Sequence, residues 1–220
     1  MNRKNIRLRY EQPSDYSAVE ALTREAFWNR YAPGCNEHYL LHILRESDCF
    51  IPELDMVAEH RGKIVGNIVY SKAKIHCDNG DVREVLTFGP VSVLPSYQRR
   101  GIGSLLIGHT KEIAGRMGYK AILIYGDPAY YARFGFLKAE RYEIGSRDNR
   151  YADALQALEL FPGALYGCAG RFAEDPVYDV DEAAAAEFDK QFEPKEKRGG
   201  LPSQERFREV ASEQRPRSTE

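Results

Sequence analysis

A mixed α/β fold with a mostly antiparallel sheet flanked by helices is the architecture this sequence predicts, and three observations carry it. Two turn signals, Arg61-Gly62 and Cys77-Asp78-Asn79-Gly80-Asp81, separate β-rich runs by hairpin-length gaps. That spacing makes a meander of Asp55 to His60, Lys63 to Ile75 and Val85 to Leu94. A helix from about Gly103 to Met117, with Leu105, Leu106, His109 and Ile113 at helical spacing, then separates the last run from another apolar one, Lys120 to Tyr125. A strand, a helix and a second strand of this kind return the chain parallel to where it left.

The remaining elements follow in order. Ile6 to Tyr10 makes a first strand, Ser14 or Asp15 caps a helix running to about Trp28, and Asn36 caps a second through Ser47. Gly89-Pro90 interrupts the strand that ends at Leu94, because proline donates nothing to a ladder and glycine marks bulges. The strand should therefore bend and part from a neighbour before Val91, leaving a splayed central strand pair. Gly118 closes the crossover helix. Asp127 followed by Pro128 restarts a short helix that Gly135 ends, and Phe136 to Ile144 with Ala154 to Leu160 form a closing antiparallel pair. Beyond that the composition changes. Asp181 to Phe192 is an Ala-rich helix, and Pro194 to Glu220 is charged, punctuated by glycine and proline, and expected to be mobile at its end. The expected division is a domain over 1–167 and a C-terminal extension over 168–220.

Composition removes several function classes. With 220 residues, 43% hydrophobic and 29% charged, the chain supports one core and an appendage. No run approaches the roughly 18 apolar residues of a membrane helix, and Met1 to Lys4 lead into no signal-like segment, so a cytoplasmic protein without a membrane partner is expected. Cys35, Cys49, Cys77 and Cys168 show no C-x-x-C pairing, and a net charge of −2 offers no footprint for nucleic acid. His38 and His42 have ligand spacing on a helix but no third ligand, so no metal is expected; Cys168 reads as a packing residue.

The stretch from Gly89 to Ser104 carries the chemistry. A Val91-Ser92-Val93 strand runs into Gln98-Arg99-Arg100-Gly101-Ile102-Gly103-Ser104 and then a helix. Glycines let a ligand approach the backbone, and the N–H groups of a first helical turn attract phosphate oxygens. A dinucleotide fingerprint fails because Leu106 stands where a small residue is required, and no G-x-x-x-x-G-K-S/T exists. The Q-x-x-G-x-G after a V-x-V strand resembles the coenzyme A pyrophosphate loop of the GNAT superfamily of N-acetyltransferases. The Tyr131-x-x-x-Gly135-Phe136 pattern is similar to the second signature of that family, especially of its YhbS-like type. The resemblance covers Ile6 to roughly Leu165, about three quarters of the chain.

That resemblance implies the GNAT fold, acetyl-CoA as cosubstrate, and acetyl transfer to a primary amine, on a small molecule or a peptide, by direct attack in a ternary complex. It implies that Val91, Ser92 and Val93 hold the pantetheine arm and thioester, that Gln98, Arg99, Arg100, Gly101, Ile102, Gly103 and Ser104 hold the pyrophosphate, and that Tyr131 protonates the leaving sulfur. Trp28, Tyr31 and Glu37 fall where the family shapes its acceptor site. The base is left open. Many members place a Glu where Thr87 stands; Glu84 is three residues earlier and, by strict alternation, on the other face, so Glu84, a water chain or another loop supplies it. A silent acyl-CoA sensor and an interaction module working through the extension are the alternatives, and a homodimer is compatible with the sequence.

Overall fold

In chain order the computed structural model, which describes residues 5–217, carries β1 (Ile6–Tyr10), α1 (Tyr16–Phe27), α2 (Glu37–Leu44), β2 (Met56–His60), β3 (Lys63–Cys77), β4 (Val82–Val93) and α3 (Ile102–Arg116). There follow β5 (Ala121–Tyr125), α4 (Pro128–Tyr131), β6 (Leu137–Lys138), β7 (Ile144–Gly145), β8 (Arg150–Ala152), β9 (Leu155–Glu159), β10 (Gly170–Ala173), α5 (Glu182–Asp189), α6 (Pro202–Ser212) and β11 (Gln214–Pro216). Met1 to Lys4, read above as the absence of a leader, lie outside the described residues, as do 218–220.

Two units share these elements. The first comprises residues up to Tyr70, Gly89–Thr110 and Pro176–Glu205; the second comprises Ser71–Phe88, Lys111–Asp175 and the residues from Arg206 on. In the first unit β1, β2 and β3 pair antiparallel, with Ile6 opposite His60 and Met56 opposite Ile68. Arg61 and Gly62 both take left-handed φ, 52° and 77°, which is the two-residue turn that matches strand twist and sets His60 against Lys63. Helix α1 buries Val19, Leu22, Thr23 and Phe27, one stripe at helical spacing, and Val19 packs with Leu41, Leu44, Val57 and Val69. In the second unit β4 pairs parallel with β5 at Leu86↔Ile122, ahead of Gly89-Pro90. Strand β9 pairs antiparallel with β5 and with β6, and β10 pairs with the Lys74–Cys77 end of β3. Its core joins Ile75, Val85, Leu123, Leu155 and Phe172. The fold is the mixed, mostly antiparallel α/β architecture expected.

Several elements depart from expectation. Neither Asp15 nor Asn36 caps its helix through the side chain. The Asp15 carboxylate is drawn back to Arg9 and the Gln12 N–H, while Glu37 accepts from the Asn36 N–H in its place. Helix α2 stops at Leu44, where Arg45 turns inward to the carboxylates of Glu11 and Glu20. Phe136 to Ile144 is not a strand: only Leu137 and Lys138 pair with β9, and the chain then winds through a 3-10 turn over Ala139–Tyr142 to Glu143, whose φ of 56° cannot continue a ladder. Ala139 turns into the core there instead. The end expected to be mobile runs outside the described residues at 218–220; before it, Pro202–Ser212 is helical and Gln214–Pro216 pairs antiparallel with β8. Arg217, only 5% exposed, anchors that end on Asp78, Asn149 and the Glu143 carbonyl.

Candidate active site

The loop between β4 and α3 lies wholly in the first unit and is built from three local devices. Gln98 donates its side-chain amide to the Val93 carbonyl at 3.0 Å, tying the loop back to the strand it leaves. Arg99 and Gly101 take left-handed φ, 58° and 82°, so the backbone reverses twice before α3 begins. Leu105 N–H bonds the Gly101 carbonyl at 3.0 Å, which starts the helical ladder; the N–H groups of a helix's first turn have no acceptor within the helix. Arg99 and Arg100 are exposed beside it, and the Arg100 guanidinium lies 5.6 Å from the Tyr97 ring. A positively charged turn that opens a helix is a seat for phosphate oxygens.

Along β4 the side chains alternate. Val91 and Val93 are half-buried, whereas Ser92 is fully buried with its hydroxyl 2.9 Å from that of Thr23 on α1. Ser92 thus fastens the strand to α1, and Gln98 shapes the loop.

Tyr131 lies in the second unit, at the end of α4. Asp127 accepts from the Ala129 N–H at 2.9 Å and Pro128 occupies the first helical position, so the cap read from the sequence is present. The Tyr131 ring is set among aromatics: Phe88 at 5.9 Å, Phe136 at 5.7 Å and Tyr130 at 4.9 Å between centroids. Gly126 makes room for it, since a Cβ there would fall 2.1 Å from Tyr131 Cε2. Tyr130 turns the other way, 37% exposed, with the Arg133 guanidinium 3.9 Å over its ring.

The nominated acceptor residues sit at the α1–α2 connection. Trp28 ends α1, donates its indole N–H to the Glu196 carbonyl at 3.0 Å and lies 4.3 Å beneath the Arg24 guanidinium. Tyr31 is 37% exposed and rests against Phe27. Burial pushes the half-buried Glu37 carboxyl above its usual range. Glu84 is exposed near the start of β4, while Thr87 is buried. His38 and His42 are engaged with the carboxylates of Asp189 and Glu20, each at 3.0 Å, and Cys168 is buried against the Ala164 and Tyr166 carbonyls.

Residues 47–138 match the family model for the acetyltransferase (GNAT) domain. The chain carries a GNAT acetyltransferase domain. Over 163 residues it is 28% identical to the uncharacterized N-acetyltransferase YhbS of Escherichia coli strain K12, spanning 74% of this chain and 92% of that protein. The crystal structure of Escherichia coli YhbS in complex with CoA superposes with a TM-score of 0.70 at 26% identity, over 80% of this chain and 93% of the other. A GNAT family acetyltransferase from Brucella melitensis in complex with acetyl-CoA gives 0.62 at 27%, over 79% and 98%. Both support the GNAT fold.

Two residues that pack against β4 and the start of α3 escaped the sequence reading. Gly66 on β3 lets β4 and α3 approach its backbone: a Cβ there would lie 3.0 Å from Ile102 Cγ2 and 3.1 Å from the Ser92 carbonyl oxygen. A glycine inside a strand pattern is the signal that marks such an approach. Thr23 had no signal, since its partner Ser92 is 69 residues away.

Proposed function

We propose that this acetyltransferase moves the acetyl group of acetyl-CoA to a primary amine by direct attack in a ternary complex. The observation that carries the reading is the loop from Gln98 to Ser104, where left-handed Arg99 and Gly101 deliver the backbone into the first turn of α3. The CoA and acetyl-CoA complexes of the two similar structures support it. Val91, Ser92 and Val93 would supply backbone to the thioester, and Arg99, Arg100, Gly101, Ile102, Gly103 and Ser104 would meet the pyrophosphate.

The chemistry assigns the roles. The amine nitrogen attacks the thioester carbonyl carbon, the carbonyl oxygen becomes an oxyanion beside backbone N–H near Val93, and the C–S bond breaks as the amide forms. One proton leaves the nitrogen and one reaches the sulfur. Tyr131 is the acid for the second; for the first, Glu84 or a water chain is the base, because Thr87 has no titratable group. Trp28, Tyr31 and Glu37 are the acceptor residues of this reading, and the acceptor is a small-molecule or peptide amine. Thr87 also favours a second reading, a silent acyl-CoA sensor.

The test is binding, then turnover. Saturation at about a hundred times the dissociation constant should stabilise the fold by roughly 2.7 kcal/mol. Melting temperature should therefore rise with acetyl-CoA, and Gly103→Glu should abolish the rise by placing a carboxylate in the pyrophosphate seat. An unchanged rise in that variant would move the cosubstrate elsewhere. Thiol release with a panel of amines distinguishes enzyme from sensor.

A further inference from the structure

We propose that the segment 195–200 of the C-terminal extension is a positioning element of the acceptor side, acting through Asn29; the inference rests on the acyl-transfer reading above. The segment has no regular secondary structure, yet it is stitched to the α1–α2 connection at Trp28 and Asn29. Asn29 follows Trp28 with a left-handed φ of 60°. Its side-chain oxygen accepts from the N–H groups of Gly34 at 2.8 Å and Arg198 at 3.0 Å, and its side-chain nitrogen donates to the Glu196 carbonyl at 3.0 Å. The same Glu196 carbonyl accepts from the Trp28 indole. Gln204 closes the arrangement by donating to the Asn29 and Arg198 carbonyls at 3.0 and 2.8 Å.

Upstream of the segment, the extension is held by a buried ion pair. Arg24, 3% exposed, grips the Asp189 carboxylate with Nε at 2.6 Å and Nη2 at 3.0 Å, in the fork geometry that fixes orientation as well as charge. Phe188 and Phe192 pack on His38 around it. Extension and α1 are therefore joined at Arg24, Trp28 and Asn29.

The link to the reaction runs along α1. Thr23 precedes Arg24 and holds Ser92, between the two valines assigned to the thioester. Trp28 is five residues further on, about 7.5 Å of helix at 1.5 Å per residue. One short rigid element thus bears both the strand contact and the residue that the extension fixes. An acceptor bound against Trp28 and Tyr31 depends on that connection keeping one shape, so loosening it removes contacts that bind the amine equally before and during the reaction.

Asn29→Gly is the discriminating variant: glycine tolerates the left-handed φ, so only the amide is lost. Asn29→Asp keeps the oxygen that accepts from Gly34 and Arg198. The measurement is steady-state kinetics against the best amine of the panel, with melting temperature with and without acetyl-CoA. KM for the amine should rise about tenfold in Asn29→Gly and less in Asn29→Asp, with kcat within about threefold and the acetyl-CoA shift retained, the pattern of lost acceptor binding. An unchanged amine KM in a parent that turns over overturns this proposal alone, as does an equal loss of the acetyl-CoA shift. A parent inactive with every amine overturns the acyl-transfer reading and this one with it. If Asn29→Gly does not fold, Asn29→Asp carries the test.

Discussion

Tyr130 and Tyr131 are adjacent in the chain and differ in what surrounds them. Residues one apart on a helix point about 100° apart. Tyr131 accordingly turns into the ring cluster of Phe88 and Phe136, and Tyr130 lies under Arg133. Tyr131→Phe keeps those ring contacts and deletes only the hydroxyl. Turnover should fall by tens to about a hundredfold, the low end for a general acid because a thiolate leaves readily, with acetyl-CoA affinity nearly unchanged. Tyr130→Phe should leave turnover nearly intact, and equal rates in both variants would return Tyr131 to a packing role. Glu84 presents the opposite case: it is exposed, so its carboxylate is solvated wherever it acts. Glu84→Gln should lower the rate by less than the roughly hundredfold of a committed base. A larger loss together with a flattened ascending limb of the pH profile would identify Glu84 as the base.

Strand β3 and helix α3 meet where Gly66 faces Ile102, and the contact has no spare room. Gly66→Ala should cost about 1–3 kcal/mol, as overpacking does, and weaken acetyl-CoA binding, because Ile102 opens the helix whose first turn is the phosphate seat proposed above. Denaturant unfolding and a ligand-shift titration check both; a stable variant with full affinity would show that the loop relaxes freely. Elements whose instructions are local were legible in the sequence. The Arg61-Gly62 turn, the Asp127-Pro128 cap, the Gly118 helix end and the Gln98–Ser104 loop are each written within a few residues. What could not be read depends on partners far along the chain. Leu137 and Lys138 pair with β9 for two residues before Ala139 is drawn into the core, and β11 exists only because β8 offers an edge. The same is true at the candidate site: Gln98 and Tyr131 were singled out from spacing alone, whereas Thr23 and Asn29 take their hydrogen-bond partners from residues 69 and 167 positions later.

Across the whole molecule, two buried titrating sites of the first unit oppose each other in pH. Burial lowers His38 from 6.5 to about 4 despite Asp189 beside it, so between those values the unfolded chain binds the extra proton and stability rises with pH. Glu11 lies in a buried cluster with Asp55, Arg45 and Asn67; burial first, then the neighbouring Asp55 carboxyl, raises it from 4.5 to about 10. There the folded chain binds the extra proton, and stability falls as pH rises through that window. The two slopes offset from about 4.5 to 6.5, and only the decline remains above 6.5. Melting temperature should therefore drop on the alkaline side, and Glu11→Gln should flatten that drop; an unaltered alkaline slope would place the proton elsewhere. The long sequence separations have a different outcome, in time. The Glu196 carbonyl reaches Asn29 across 167 residues, and Arg217 reaches Asp78 across 139. During synthesis α1 and the β3–β4 turn are made long before the residues that fasten them. A nascent chain that has grown only as far as Lys195 already carries the whole Gln98–Ser104 loop but neither fastening, so the loop is complete in sequence well before these contacts can form.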